Sequence, residues 1–328
     1  NIMGKNLPAK KYKVGNRTER FLHYELTHNG DGTNDSHFID LAAGLSAVNK
    51  RAYRQGLYYY IKSISVVETT ADSKVQFGTA PDVWQMPQAW KMGFRAWSRM
   101  NSEAAALIPG GDLKIAGKYH DFKIYLNNNH RTDPDVTVPS NGPATMDGNP
   151  HHNPTDWDYS VYHSQDPTGS DGSGNRGDEF AIMLLGDHVA GTGGDDSWAA
   201  VSLTHSYVRS RVLDDESGEP LTLGSLIEDP IVNLFDVGDT HDDVLDDLQD
   251  FNDRPPYDDD AVYNDTILRA QASVGPASQK TVMLPGFCVP FGLLEVLTNS
   301  AGASTNTIKV LIELAPGPYN GVYAERIV

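Results

Sequence analysis

At 328 residues, with one cysteine and 39% hydrophobic residues, the chain is long enough to bury one large core or two ordinary ones without disulfide staples. Its 44 acidic and 26 basic residues give a net charge of −18, so the bulk of the surface repels nucleic acid, and a generic nucleic-acid-binding role is disfavoured. No run approaches the roughly 20 apolar residues of a membrane span and the first residues lack the apolar core of a secretory signal, so a soluble chain not secreted by that route is expected.

Residues 1–18 have few large apolar side chains and gather Lys5, Lys10, Lys11, Lys13 and Arg17, with Arg20 just beyond and Glu19 the only acid before Phe21. This reads as a basic arm outside the main core. A first strand is predicted over 20–27, followed by turn chemistry from His28 to Asp35. Asn29, Asp31, Thr33 and Asp35 alternate as in a calcium loop. Asn34 and Asp40 stand where that motif needs glycine and glutamate, so a plain loop is expected.

At Asp40 the hydrophobic period changes. Leu41, Leu45 and Val48 recur at helical spacing behind Asp40 as N-cap. A cationic turn, Lys50-Arg51-Ala52-Tyr53-Arg54-Gln55-Gly56, closes on a glycine expected to end the helix in the left-handed conformation. A strand over 57–67 follows, with Tyr58, Tyr60, Lys62, Ile64 and Val66 placed on one face by strict alternation. Residues 75–79 are expected to pair with it as a hairpin. Pro87 then opens a helix whose Trp90, Phe94 and Trp97 form a core stripe.

Further strands are predicted over 118–126, 158–164, 179–185 and 198–212, separated by long polar loops at 127–153 and 165–177 of the kind that carries function or contacts. A second part begins near Leu213. It holds ten aspartates between Asp239 and Asp260 against one arginine, Arg254, with an apolar stripe of Val244, Leu245, Leu248 and Phe251: an acidic amphipathic helix. Strands resume at 261–272, 280–284, 287–297 and 307–314, with a last one in 322–327. Roughly a dozen short strands and three helices give an all-β sandwich with helical insertions.

No constellation among these residues marks chemistry. His151, His152, Asp156 and His163 come nearest to a metal cluster, but adjacent histidines rarely converge on one ion. His120-Asp121 lacks a nucleophile elbow, and no phosphate or dinucleotide loop is present. Cys288, inside the apolar run 283–296, reads as an inert thiol. Arg176-Gly177-Asp178 reads as loop. No catalytic residue, metal or cofactor is expected, and the chain is not expected to be an enzyme.

A short amphipathic helix with arginines feeding a long strand resembles the major capsid proteins of small icosahedral DNA viruses. The resemblance extends through Trp84-Gln85-Met86-Pro87-Gln88-Ala89-Trp90, Asp121-Phe122-Lys123-Ile124-Tyr125-Leu126, Asn252-Asp253-Arg254-Pro255-Pro256-Tyr257, Pro290-Phe291-Gly292-Leu293-Leu294 and Ala315-Pro316-Gly317-Pro318-Tyr319-Asn320-Gly321-Val322. It implies a jelly-roll sandwich that self-assembles into the shell enclosing the genome, located in the virion and assembled inside the host cell. The implied partners are other copies in a trimeric capsomer of pseudo-hexagonal outline, other virion proteins, and the viral genome or an internal membrane through the arm.

Single-roll shells around naked genomes commonly carry a long, arginine-dense arm, whereas a double roll over a membrane needs only a modest cationic patch. The expected division is therefore an arm at 1–18, a first jelly roll at 19–212 and a second at 213–328, in tandem. A single jelly roll with long insertions is the alternative. Lys5, Lys10, Lys11, Lys13, Arg17 and Arg20 would face the interior, and the loops at 127–153 and 165–177 the outside or a neighbour. A competing reading is a carbohydrate-binding or carbohydrate-cleaving β-sandwich in which Trp84, Trp157 or Trp198 stacks on sugar rings.

Overall fold

Alternation builds the first layer. In β1 (Phe21–His28) Leu22, Tyr24, Leu26 and His28 point inward, and the strand pairs antiparallel with β13 (Asn306–Leu314). β13 continues to β3 (Leu57–Val67), and β3 to the edge strand β10 (Thr281–Pro285). Two short strands, β11 (Cys288–Val289) and β14 (Ala324–Arg326), also pair with β3. A second antiparallel sheet runs β2 (Asn34–Asp40), β12 (Leu293–Ser300), β4 (Ser73–Thr79) and β9 (Ile267–Val274). The two sheets share a core of Leu22, Leu26, Ile39, Ile64, Val66, Phe77, Val296 and Ile312. The described residues thus lie mostly in β-sheets, several of them antiparallel, compatible with a β-sandwich. The computed structural model describes residues 18–30, 32–106, 121–132, 139–141, 156–163, 179–190, 198–210, 265–300 and 305–327.

Between β4 and β9 lies an insertion that makes a third layer. It contains α2 (Gln85–Ala106), the short α3 (Asn128–Thr132) and a sheet of β5 (Val161–His163), β6 (Glu179–Met183), β8 (Trp198–Ser202) and β7 (Val189–Ala190), in that order. α4 (Leu203–Arg209) follows β8. Phe122, Leu126, Ile182, Leu184 and Leu203 pack with Phe38 and Leu293 on the outer side of the second sheet. Being covered on both sides, β2 and β12 carry consecutive buried residues there, Phe38-Ile39-Asp40 and Leu293-Leu294, instead of alternating.

Several expectations need correction. Both core sheets take strands from either side of residue 213, so 19–212 and 213–328 do not form two separate sandwiches among the described residues. Strands β3 and β4 are not a hairpin pair. They lie in different sheets, and β4 pairs with β12 and β9. The faces of β3 also switch. Lys62 is an extra residue against β13, whose Glu313 opposes Ser63 and whose Leu314 opposes Ile61, so Tyr59 and Ile61 face inward before this bulge and Ile64 and Val66 after it.

Helix α1 (Leu41–Asn49) ends at Lys50, which itself takes the left-handed conformation (φ 52°), not at Gly56. The strand predicted over 198–212 breaks at Ser202, whose Oγ accepts from the His205 N–H and caps α4. The strand predicted over 287–297 is interrupted by a 3-10 turn at Pro290–Gly292. From 118–126 the described part, 121–126, forms no strand and makes one bridge, Tyr125 to Met183. The acidic segment 239–260, most of the two long loops, the Arg176-Gly177-Asp178 tripeptide and residues 1–17 lie outside the described residues.

Candidate functional site

Of the six cations assigned to the interior, Lys5, Lys10, Lys11, Lys13 and Arg17 fall outside the described residues. Arg20 sits directly before β1. Its carbonyl accepts from the Leu314 N–H and one guanidinium nitrogen is buried, so it belongs to the sheet's edge more than to an arm.

The best-built polar centre is Asp40, at the end of β2. Its Oδ1 accepts from the Ala42 and Ala43 N–H groups at 2.9 and 3.1 Å, and its Oδ2 from Gln55 Nε2 and Trp157 Nε1 at 2.9 and 3.0 Å. Burial, the largest influence, pushes the carboxyl above the ordinary carboxylate range, and the four donors pull it partly back. Gln55 carries the connection onward, donating to the Ile124 carbonyl at 2.9 Å and accepting from its N–H at 2.6 Å. One carboxylate therefore ties a core strand, α1, the cationic turn and two insertion segments together. The sequence marked Asp40 only as a helix cap; nothing in the spacing of Gln55 or Trp157 points to it.

Around this hub the turn meets α2. Gly56 (φ +79°) lies so close to the Trp90 ring that a Cβ would sit 2.2 Å from it. Arg54 pairs with Asp121 at 3.2 Å, and so Asp121 serves this turn. The neighbouring Phe122 packs against Trp90, Phe94 and Trp97, which makes the predicted core stripe real, although Phe94 keeps 38% of its surface exposed. On the outward side of α2, Lys91, Arg95 and Arg99 follow at four-residue intervals. Arg99 pairs with Glu103, the only acid in the helix.

A second buried centre is His130 in α3. The Leu126 N–H donates to its Nδ1 at 3.0 Å, which leaves the proton on Nε2, 3.2 Å from the Tyr159 hydroxyl. The ring stacks on Phe38 at 4.8 Å. Burial depresses its pKa to about 3 and raises that of Tyr159 well above the phenol range, so both are neutral.

Among the described residues no three His, Cys, Asp or Glu side chains converge as metal ligands. His205 pairs with Asp187 at 3.2 Å beside His188, and His188 Nδ1 accepts from the Ser202 N–H. Burial pushes the half-buried Cys288 thiol up to about 11, in keeping with an unreactive group. At the opposite end of the sheets, a cleft of about 290 Å³ is bordered by Asp72, Lys74, Ser273 and Asn299. The outer surface exposes large apolar side chains at Trp84, Trp198, Ile267, Leu268 and Met283.

Comparison with protein-family models, curated proteins and solved structures finds no match to this chain.

Proposed function

We propose that this chain is a viral major capsid protein that self-assembles into an icosahedral shell, built on one jelly roll with a long insertion. The observation that carries the reading is the strand order. Counting only the eight described strands on the main paths of the two core sheets, and leaving out the two short ones that also pair with β3, one sheet runs first, eighth, third, sixth and the other second, seventh, fourth, fifth. Every connection between these strands crosses between the sheets except the one that holds the insertion, and this order supports the jelly-roll reading. Exposed Ile267, Leu268 and Met283 on the edge strands β9 and β10 are apolar surface available for burial against other copies. A pseudo-hexagonal trimer draws its outline from two rolls per chain. With one roll that outline loses its basis, while self-association does not.

Sizing of the purified chain by mass photometry is expected to give megadalton assemblies. A lone monomer that turns over a substrate overturns the proposal. Replacing Lys10, Lys11, Lys13 and Arg17 with glutamine is expected to lower particle yield around genome or membrane while leaving the capsomer folded; unchanged yield removes the role given to the arm.

A carbohydrate-binding sandwich is favoured by one observation, the exposure of Trp84 and Trp198. Trp157 is already engaged, its Nε1 by Asp40 and its ring by Lys123 at 4.3 Å. A glycan array with small-oligomer sizing is the result expected of that alternative.

A further inference from the structure

We propose that the outward face of α2, with the neighbouring 50–56 turn, binds single-stranded nucleic acid. The chain as a whole is acidic, with a net charge of −18, yet this face reverses the sign. Lys91, Arg95 and Arg99 lie along one line of the helix at i, i+4 and i+8, and Glu103 is its only acid. Among the described residues Lys91 and Arg95 have no acidic partner, whereas Arg99 is paired with Glu103 at 2.7 Å. The turn borders this face. Gly56 rests on Trp90, and Arg54 reaches Asp121, whose neighbour Phe122 packs on Phe94.

The aromatic component selects among polyanions. Phe94 is 38% exposed beside Lys91 and Arg95, and its ring is held by a parallel stack on Trp90 (5.4 Å, 3°). A ring fixed in this way loses little freedom when a base stacks on it, and base stacking on aromatic side chains is tolerant of sequence. An acidic peptide would meet the cations and leave the ring unused. A duplex hides its base faces, so the combination fits a single strand.

The inference goes beyond the shell reading and stands whether or not the chain assembles. Its test is fluorescence anisotropy with a labelled oligothymidylate, at protein concentrations where sizing shows no assembly. The full chain is used with the arm cations Lys10, Lys11, Lys13 and Arg17 replaced by glutamine, so that the arm does not mask the helix.

On that background, Lys91→Gln with Arg95→Gln is expected to weaken binding about tenfold near 0.1 M salt. It should also flatten the log–log salt slope by about 1.4, or about 0.7 for each phosphate that the helix no longer neutralises. Phe94→Ala, checked for retained fold by circular dichroism, is expected to weaken binding at least about fivefold with the salt slope unchanged. Unchanged affinity in the double variant overturns the proposal. So does tighter binding of oligoglutamate or duplex than of the single strand, which would make the face a docking site for an acidic protein or a generic anion surface.

Discussion

Acidification from pH 7 to pH 5 is expected to destabilise the folded chain through His130 by about 2 kcal/mol. In the fold the imidazole stays neutral, with a pKa depressed to about 3 by burial. In the unfolded chain it takes up a proton at its ordinary value near 6.5. Below that value the unfolded state binds more protons, so stability falls as pH drops toward the folded pKa. The hydrogen bonds give the cost a location. A proton added at Nδ1 would confront the Leu126 N–H that now donates to it, and so would press on the segment that holds the insertion against Phe38.

Urea unfolding at a series of pH values measures this dependence. His130→Asn keeps an acceptor near the Nδ1 position but cannot titrate. The variant is expected to lose up to about 1 kcal/mol at pH 7 and to show a shallower fall between pH 6.5 and 5. Identical slopes for the two proteins would mean that His130 does not set the acid response.

The elements most legible in the sequence are those whose burial is one-sided. β1 alternates strictly, α1 has both its stripe and its cap, and β3 spans the predicted 57–67. What failed depends on long-range pairing. The bulge at Lys62 lies against Glu313, whose carboxylate accepts from Lys62 Nζ at 2.7 Å and Ser63 Oγ at 3.1 Å, and no local pattern announces a partner 250 residues away. A β-branched, aromatic segment after a helix also says nothing about which sheet its successor joins. The β3–β4 hairpin rests on proximity in sequence and the tandem division on the modest arm and the strand count, and none of these carries the alternation of strands between two sheets.

The candidate site divides along the same line. The cationic turn and the α2 stripe were visible, being local. The i, i+4, i+8 line of Lys91, Arg95 and Arg99 is equally visible as a signal, while the lack of an acidic partner for Lys91 and Arg95 among the described residues emerges only from the fold. Asp40 and His130 owe their roles to atoms from other segments: Trp157 lies 117 residues from Asp40, and Tyr159 lies 29 from His130. Buried polar groups of this kind are identified by their partners, and partners come from the fold.

Asp40→Ala is expected to lower the unfolding free energy by about 3 kcal/mol, more than any surface change in this chain. Loss of the N-cap accounts for about 1 kcal/mol. Leaving Trp157 Nε1 and one Gln55 N–H without an acceptor in the interior adds about 1–3 kcal/mol each, offset in part because a buried charge is removed with them. Asp40→Asn separates the two contributions. If desolvation of the charge dominated, the neutral isostere would be more stable than the parent. Four donors converge on two oxygens, however, and an amide has only one oxygen to offer, while its NH₂ group would face two of those donors. Asn at this position is therefore expected to destabilise by about 2 kcal/mol, with the near-ultraviolet signal of Trp157 altered as its indole loses its partner. An Asp40→Asn protein as stable as the parent would show that the carboxylate's burial cost outweighs its donors, and that Gln55 and the apolar layer hold the insertion without it.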